Sequence, residues 1–199
     1  MAFIKGANMP VEVELKAWVK DRSSLEKKLK ERFDFKKTYI KKDIYYSTPH
    51  SGLKERFRLR QEEEGEALVT IKKKKIVKKT EQNIEIEFRV SDPQAFEQFV
   101  LDIGCRKVIK KVKRGDLYTA GEINIELTMV EDLGEFIEIE KIVESEDSNL
   151  LEQAREEINY ILHSLGVSPD QIEERYYVDM LKEKIFREGR PSAKYPEHP

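Results

Sequence analysis

Acidic and basic side chains recur in pairs two residues apart along this chain. The pairs are Glu12 and Glu14, Arg58 and Arg60, Lys72 and Lys74, Glu85 and Glu87, Lys111 and Lys113 (with Arg114 adjacent), and Glu138 and Glu140. In an extended strand, residues at i, i+2 and i+4 project from one face. Glu12-x-Glu14-x-Lys16 therefore shares a face, while the intervening Val13, Leu15 and Ala17 turn towards an apolar layer. Carboxylates suit hard cations, and Mg²⁺ takes one or two of them together with substrate phosphate oxygens. Same-face neighbours lie ~6.6 Å apart along a strand, so the ligands of one ion must come from adjacent strands. Arginine grips phosphate through a bidentate fork and lysine through a point charge. A surface carrying both signs is suited to a polyanion held with metal, and phosphoryl transfer needs little more than positioning and charge neutralisation.

Each pair taken alone is what the solvated face of an ordinary strand would show, and Lys72 to Lys75 reads equally well as a surface run. Six pairs on six separate strand-like segments argue for one shared surface.

The elements that must carry these pairs follow from periodicity. MPVEVELKAWV alternates as a strand, and SSLEKKLKERF follows as a helix capped by Ser23 or Ser24, with Leu25, Leu29 and Phe33 at helical spacing. KTYIKKDIYYS is a second strand, ending at turn residues Thr48-Pro49 and Ser51-Gly52. KERFRLRQEE and EALVTIKKKK flank Glu64-Gly65 as a hairpin. QNIEIEFRV is a fifth strand, and Ser91 or Asp92 can cap the helix DPQAFEQFVLDIG, whose apolar stripe is Phe96, Phe99, Val100 and Ile103. Three more strands follow in CRKVIKKVKRGDLYT, EINIELTMV and GEFIEIEKIV, turning at Gly121 and Gly134. A long helix with stripe Leu151, Ala154, Ile158, Ile161 and Leu165 comes next, then a short helix near VDMLKEKIF. No linker divides the chain, so residues 1–186 form a single domain and 187–199 a proline-containing tail.

Eight strands joined by short connections make a sandwich or a closed antiparallel barrel. A sandwich would send the charged faces outside. A barrel of this size can enclose a polar interior when opposite charges and ligand compensate one another, and buried charge without compensation is costly. The mixed signs favour closure: an α+β protein with an eight-stranded antiparallel barrel forming a tunnel, peripheral helices and a helical C-terminal segment.

Composition narrows the function classes. The formal net charge is −2 although 38% of residues are charged, so there is no global basic field for nucleic acid. A single cysteine, Cys105, excludes an intramolecular disulfide or thiolate cluster, and three separated histidines make a zinc site an unlikely fit. No apolar run reaches the ~18 residues of a membrane span and the N-terminus lacks a signal-peptide core, which predicts a cytoplasmic protein without nucleic-acid or membrane partners. Whether it forms a homodimer stays open.

These residues carry a resemblance. Glu12-x-Glu14-x-Lys16, DIYYS (Asp43 to Ser47), RFRLR (Arg56 to Arg60), TIKKK (Thr70 to Lys74), EIE (Glu85 to Glu87), KKVKR (Lys110 to Arg114) and LGEFIEIE (Leu133 to Glu140) occur in the order of the CYTH family. The chain resembles those triphosphate tunnel metalloenzymes over about residues 9 to 145. The family includes class IV adenylate cyclases, thiamine triphosphatases and inorganic triphosphatases. The resemblance implies a triphosphate substrate bound with Mg²⁺ or Mn²⁺. It implies that Glu12, Glu14, Glu138 and Glu140 hold metal, and that Arg58, Arg60, Lys72, Lys74, Lys111, Lys113 and Arg114 hold phosphate. Glu85 and Glu87 would complete the acidic wall or orient water, and Lys16 would neutralise phosphate or poise a carboxylate. Similar sequences usually carry an aspartate where Thr128 stands; Glu126, two residues earlier on the same face, can replace it, or metal binding is altered. Tyr45, Tyr46 and Tyr118 read as core or rim aromatics, and Trp18 as a packing residue.

The expected activity is divalent-metal-dependent hydrolysis of an inorganic or organic triphosphate. The alternatives are an adenylate cyclase, for which no base-reading element stands out, and a non-catalytic polyphosphate- or nucleotide-binding module.

Overall fold

The structure, a computed structural model, describes residues 10–48, 57–61 and 67–189. Its elements are β1 (Val11–Trp18), α1 (Arg22–Arg32), β2 (Asp34–Ser47), β3 (Phe57–Gln61), β4 (Ala67–Val77), β5 (Thr80–Val90), α2 (Pro93–Asp102), β6 (Arg106–Ala120), β7 (Ile123–Val130), β8 (Gly134–Val143), α3 (Ser148–Ser164) and α4 (Tyr177–Arg187). The turn residues Pro49 to Gly52 and Glu64-Gly65, and the tail beyond Gly189, lie outside the described residues.

The eight strands close into a barrel in the order β1-β5-β4-β3-β2-β6-β7-β8, with β8 returning to β1 and every neighbouring pair antiparallel. The polarity of this barrel is reversed from that of a filled one. Val13, Leu15 and Ala17 of β1, Ile125 and Leu127 of β7, and Ile137 and Ile139 of β8 are buried in an apolar cluster with Leu25 and Leu29 of α1 and Ile158, Leu162 and Leu165. Helices thus cover the outer, apolar face of β1, β7 and β8, and the alternate residues, which carry charge, are left to the lumen. Burying each such Leu or Ile contributes roughly 1.5–3 kcal/mol. The helical stripe Leu151, Ala154, Ile158, Ile161 and Leu165 is buried throughout.

Two sequence expectations are corrected here. The cap of α1 is Asp21, whose Oδ1 accepts from the Ser24 amide at 3.0 Å and from the Ser23 hydroxyl at 2.8 Å; an ionised carboxylate takes both donors, so the serines become its partners. In α2, Val100 and Phe96 pack beside Leu59, Val69 and Cys105, but Phe99 and Ile103 are 58% and 52% exposed. The helix rests on the barrel through a narrower strip than its apolar stripe suggested. Asp92 caps it, accepting from Gln94 and Ala95 amides.

The chain after α3 returns to the barrel. Ile172 bridges to Ala17, the Glu173 amide donates to the Lys16 carbonyl at 2.8 Å, and α4 packs against β6. Trp18 stacks on Phe136 with centroids 4.2 Å apart, as a packing residue should. This brings Tyr176 and Tyr177 to the lumen.

Candidate active site

The lumen is a cavity of about 290 Å³ lined mainly by charged side chains from all eight strands and closed at one side by Tyr176, Tyr177 and Val178. Glu12, Glu14, Arg58, Arg60, Lys72, Glu85, Glu87, Lys111, Lys113, Glu126, Glu138 and Glu140 all line it, together with Lys16. Lys74 does not line the cavity, being held beside it: its ammonium engages Glu81 and the Glu174 carbonyl and lies 3.8 Å from the centre of the Tyr176 ring. Arg114 does not reach the cavity. It lies on the alternate face of β6, pairs with Glu131 at 3.6 Å and is 46% exposed, because it is one residue out of step with Lys111 and Lys113 in the two-residue strand period.

Register explains how the acidic wall forms. Glu14 lies directly across from Glu140, and Glu140 across from Asn124; in the next row Lys16, Glu138 and Glu126 are opposed. Burial, and the neighbouring Glu12, Glu126 and Glu14, push the Glu140 carboxyl well above the usual carboxylate range, although Asn124 donates to it at 2.9 Å. Glu14 falls the other way: burial raises it, but Lys72, Lys16 and Lys113 together lower it below its ordinary value. The Lys72 ammonium sits 2.6 Å from Glu12, 3.1 Å from Glu14 and 2.9 Å from Glu85. Lys113 pairs with Glu126 and, at 2.7 Å, with Glu138, whose other oxygen accepts from the Tyr177 hydroxyl at 2.6 Å.

The basic wall is organised by a residue that sequence reading did not single out. Asp43 is wholly buried, accepts from Arg60 Nε at 2.7 Å and pairs with Lys111 at 3.0 Å and Arg58 at 4.0 Å. Burial would raise its pKa, but Arg60, Lys111 and Arg58 hold it well below the usual range. Arg58 is held less tightly. Its guanidinium lies 3.8–3.9 Å from Glu85 and Glu87, and its buried Nε has no hydrogen-bond partner among the described residues. A donor so placed is ready for a phosphate oxygen.

Four further residues that sequence reading did not assign to the site also stand here. Lys41 and Tyr45 share the inner face of β2 with Asp43, and Glu81 and Asn83 continue the Glu85-x-Glu87 row of β5. Two-residue spacing in IKKDIYY and TEQNIEIE carried that signal, masked by the mixed residue types. Tyr45 lines the lumen rather than only packing, whereas Tyr46 and Tyr118 are core. Nothing local in the sequence marks Tyr177.

Among the described residues, no three carboxylate, imidazole or thiolate groups converge as a ready metal cluster, and Glu12 and Glu14 are spread around the Lys72 ammonium. The donor chemistry nevertheless fits a hard cation. Oxygen ligands prevail, and Glu140 stands beside Glu12, Glu14 and Glu126 with no salt bridge of its own among the described residues.

Thr128 is wholly buried, and its hydroxyl donates to the Arg114 carbonyl at 3.0 Å. The strand opposite approaches closely there: a Cβ on Gly115 would come 2.5 Å from the Leu127 carbonyl oxygen and 2.9 Å from Thr128 Cα. Glu126 reaches the lumen instead, accepting from Tyr39 at 2.7 Å and Lys41 at 2.6 Å, and Lys113 with Lys41 lowers its pKa against the effect of burial. Thr128→Asp is therefore expected to lower the melting temperature and leave turnover no faster, since it buries a further carboxylate on the face of Glu126. A faster variant with tighter Mn²⁺ binding would assign the lost ligand to position 128.

The CYTH-domain family model matches residues 10–177, and this chain belongs to the CYTH family. It is 31% identical over 176 residues to the Methanocaldococcus jannaschii protein named "Putative adenylate cyclase MJ0240", covering 85% of this chain and 98% of that one. The PH1819 protein of Pyrococcus horikoshii has the same fold at 33% identity and a TM-score of 0.78, over 87% of this chain and 99% of that one. HpAC1 from Hippeastrum, named a "putative adenylyl cyclase" and described as having a dominant triphosphatase activity, shares the fold at 15% identity and a TM-score of 0.62, over 92% and 97% of the two chains.

Proposed function

We propose that this protein is a divalent-metal-dependent triphosphatase, releasing orthophosphate from a triphosphate held in the tunnel. The observation that carries the reading is the balance of charge in the lumen. Its lining holds eight glutamates against seven lysines and arginines. A triphosphate brings about four further negative charges, so it can enter only with cations of its own.

Glu12, Glu14 and Glu140 would hold a Mg²⁺ or Mn²⁺ ion, with Glu138 beside them. When bound, such an ion neutralises phosphate oxygens and polarises the terminal phosphoryl group. Arg58, Arg60, Lys72, Lys111 and Lys113 bind the chain of phosphates, with Arg58 offering its unpaired Nε and Lys72 exchanging a carboxylate partner for a phosphate. Glu126 acts as a positioning residue, fixing Lys41 and Lys113 as a pair. Glu85, between Lys72 and Arg58, orients the attacking water; Glu87, at the more open end, accepts from Thr70 at 2.6 Å. Lys16 serves structure, since its ammonium donates to the Arg175 carbonyl at 2.6 Å and closes that side of the tunnel. In the reaction the water oxygen bonds to the terminal phosphorus, the bridging P–O bond breaks, and the proton leaves with solvent or product.

A second reading, adenylate cyclase, is favoured by the name of the Methanocaldococcus relative. Product analysis separates them. Tripolyphosphate with Mg²⁺ or Mn²⁺ is expected to yield orthophosphate and diphosphate, and ATP no cyclic AMP. Cyclic AMP and diphosphate from ATP, with tripolyphosphate untouched, would replace the first reading by the second.

A further inference from the structure

A second cavity, about 450 Å³, lies outside the tunnel, where the outer faces of β4 and β5 meet the first turns of α3. It shares no lining residue with the tunnel. Val11, Ile84 and Leu151 give it an apolar floor, and Lys73, Lys75 and Arg155 stand around that floor. The two lysines arise from the same strand period that sends Lys72 inward: alternate residues of β4 serve opposite faces.

Arg155 is the informative member. It is only 6% exposed. One end of its guanidinium donates to Glu152 on the same helix, yet its buried Nε has no hydrogen-bond partner among the described residues. Buried donors are almost always paired, because one taken out of water without an acceptor destabilises the fold. Glu152 is already shared with Lys78 at 3.2 Å. Glu146 also lines the cavity, leaving the cations in modest excess. An arginine fork beside lysines suits a phosphate, and the aliphatic floor suits an apolar body attached to it.

We propose that this groove binds a small phosphorylated amphiphile, its phosphate on the Arg155 guanidinium and Lys75 and its apolar body on Ile84 and Leu151, with AMP as the probe. The proposal does not depend on the reaction assigned to the tunnel. It is tested on the full-length chain by NMR titration with AMP and, separately, with inorganic phosphate, following the methyl groups of Ile84 and Leu151 and the Arg155 Nε–H. AMP should shift all three. Phosphate alone should shift the Arg155 signal and bind more weakly. Lys75→Glu and Arg155→Lys should each weaken AMP binding about tenfold, the effect of losing one charge-assisted contact, with tripolyphosphate turnover unchanged. Lys75 is exposed, so its variant keeps the test open if Arg155→Lys destabilises the fold. AMP shifting only tunnel residues such as Ile142, phosphate binding as tightly as AMP, or wild-type affinity in Lys75→Glu would each overturn the proposal.

Discussion

Glu140→Gln should reduce triphosphate turnover about a hundredfold or more, the scale on which removing one charge-stabilising element of a site acts, while leaving the metal-free protein no less stable. Both halves follow from one fact. Burial, together with Glu12, Glu126 and Glu14, drives the Glu140 carboxyl well above its ordinary range, so the empty fold resists its charge. A group with a raised folded pKa opposes folding once pH exceeds the unfolded value, and a neutral amide removes that opposition. The same charge is what a divalent cation requires. Glu12→Gln should lose activity similarly, without the gain in stability, because Lys72 already neutralises Glu12 at 2.6 Å. Turnover with Mg²⁺ and thermal melting in EDTA are the paired measurements. Full activity in Glu140→Gln, or in EDTA, would remove metal from the mechanism.

The largest effect on stability is expected at Asp43. Asp43→Asn strips the one carboxylate that Arg60, Lys111 and Arg58 share at 2.7, 3.0 and 4.0 Å. Breaking a buried pair by removing one partner leaves stranded charge and costs about 3–5 kcal/mol. Its pH dependence has a definite sign. The folded pKa is depressed, so the stabilisation is present above the unfolded value of about 3.9 and is lost as pH falls through the folded one. Denaturant melts at neutral pH should show the loss, and the gap between wild type and Asp43→Asn should narrow on acidification. A constant gap down to low pH, or an unaffected midpoint, would show that Asp43 does not hold the basic wall. Excess tripolyphosphate should recover part of the loss by mass action, as its oxygens replace the missing carboxylate.

Legibility varied with how far apart in the chain the cause lay. The alternation of Glu12, Glu14 and Lys16 with Val13, Leu15 and Ala17 is a local property, and two-residue periodicity commits each side to one face whatever the strand's neighbours. Strand positions, the inward direction of the charged pairs and the apolar stripe of α3 were therefore readable. Helix ends and contact stripes were less so. Asp21 supplanted Ser23 and Ser24 through acceptor strength, and Phe99 and Ile103 stayed exposed because only part of α2 meets the barrel. Arg114 was assigned to phosphate by adjacency, which strand geometry contradicts.

By itself, the sequence determined the kind of surface this protein builds: eight strands, each with one charged face and one apolar face, and mixed charges that demanded an enclosed, compensated interior. Only the tertiary structure decided which charges meet. Asp43 reaches Lys111 across sixty-seven intervening positions of chain, Lys72 settles between Glu12 and Glu14, and Tyr177 arrives from α4 to bond Glu138. Those pairings depend on barrel closure and cross-strand register, which are collective properties of all eight strands, and electrostatic balance at a site is set by distances that no single segment contains.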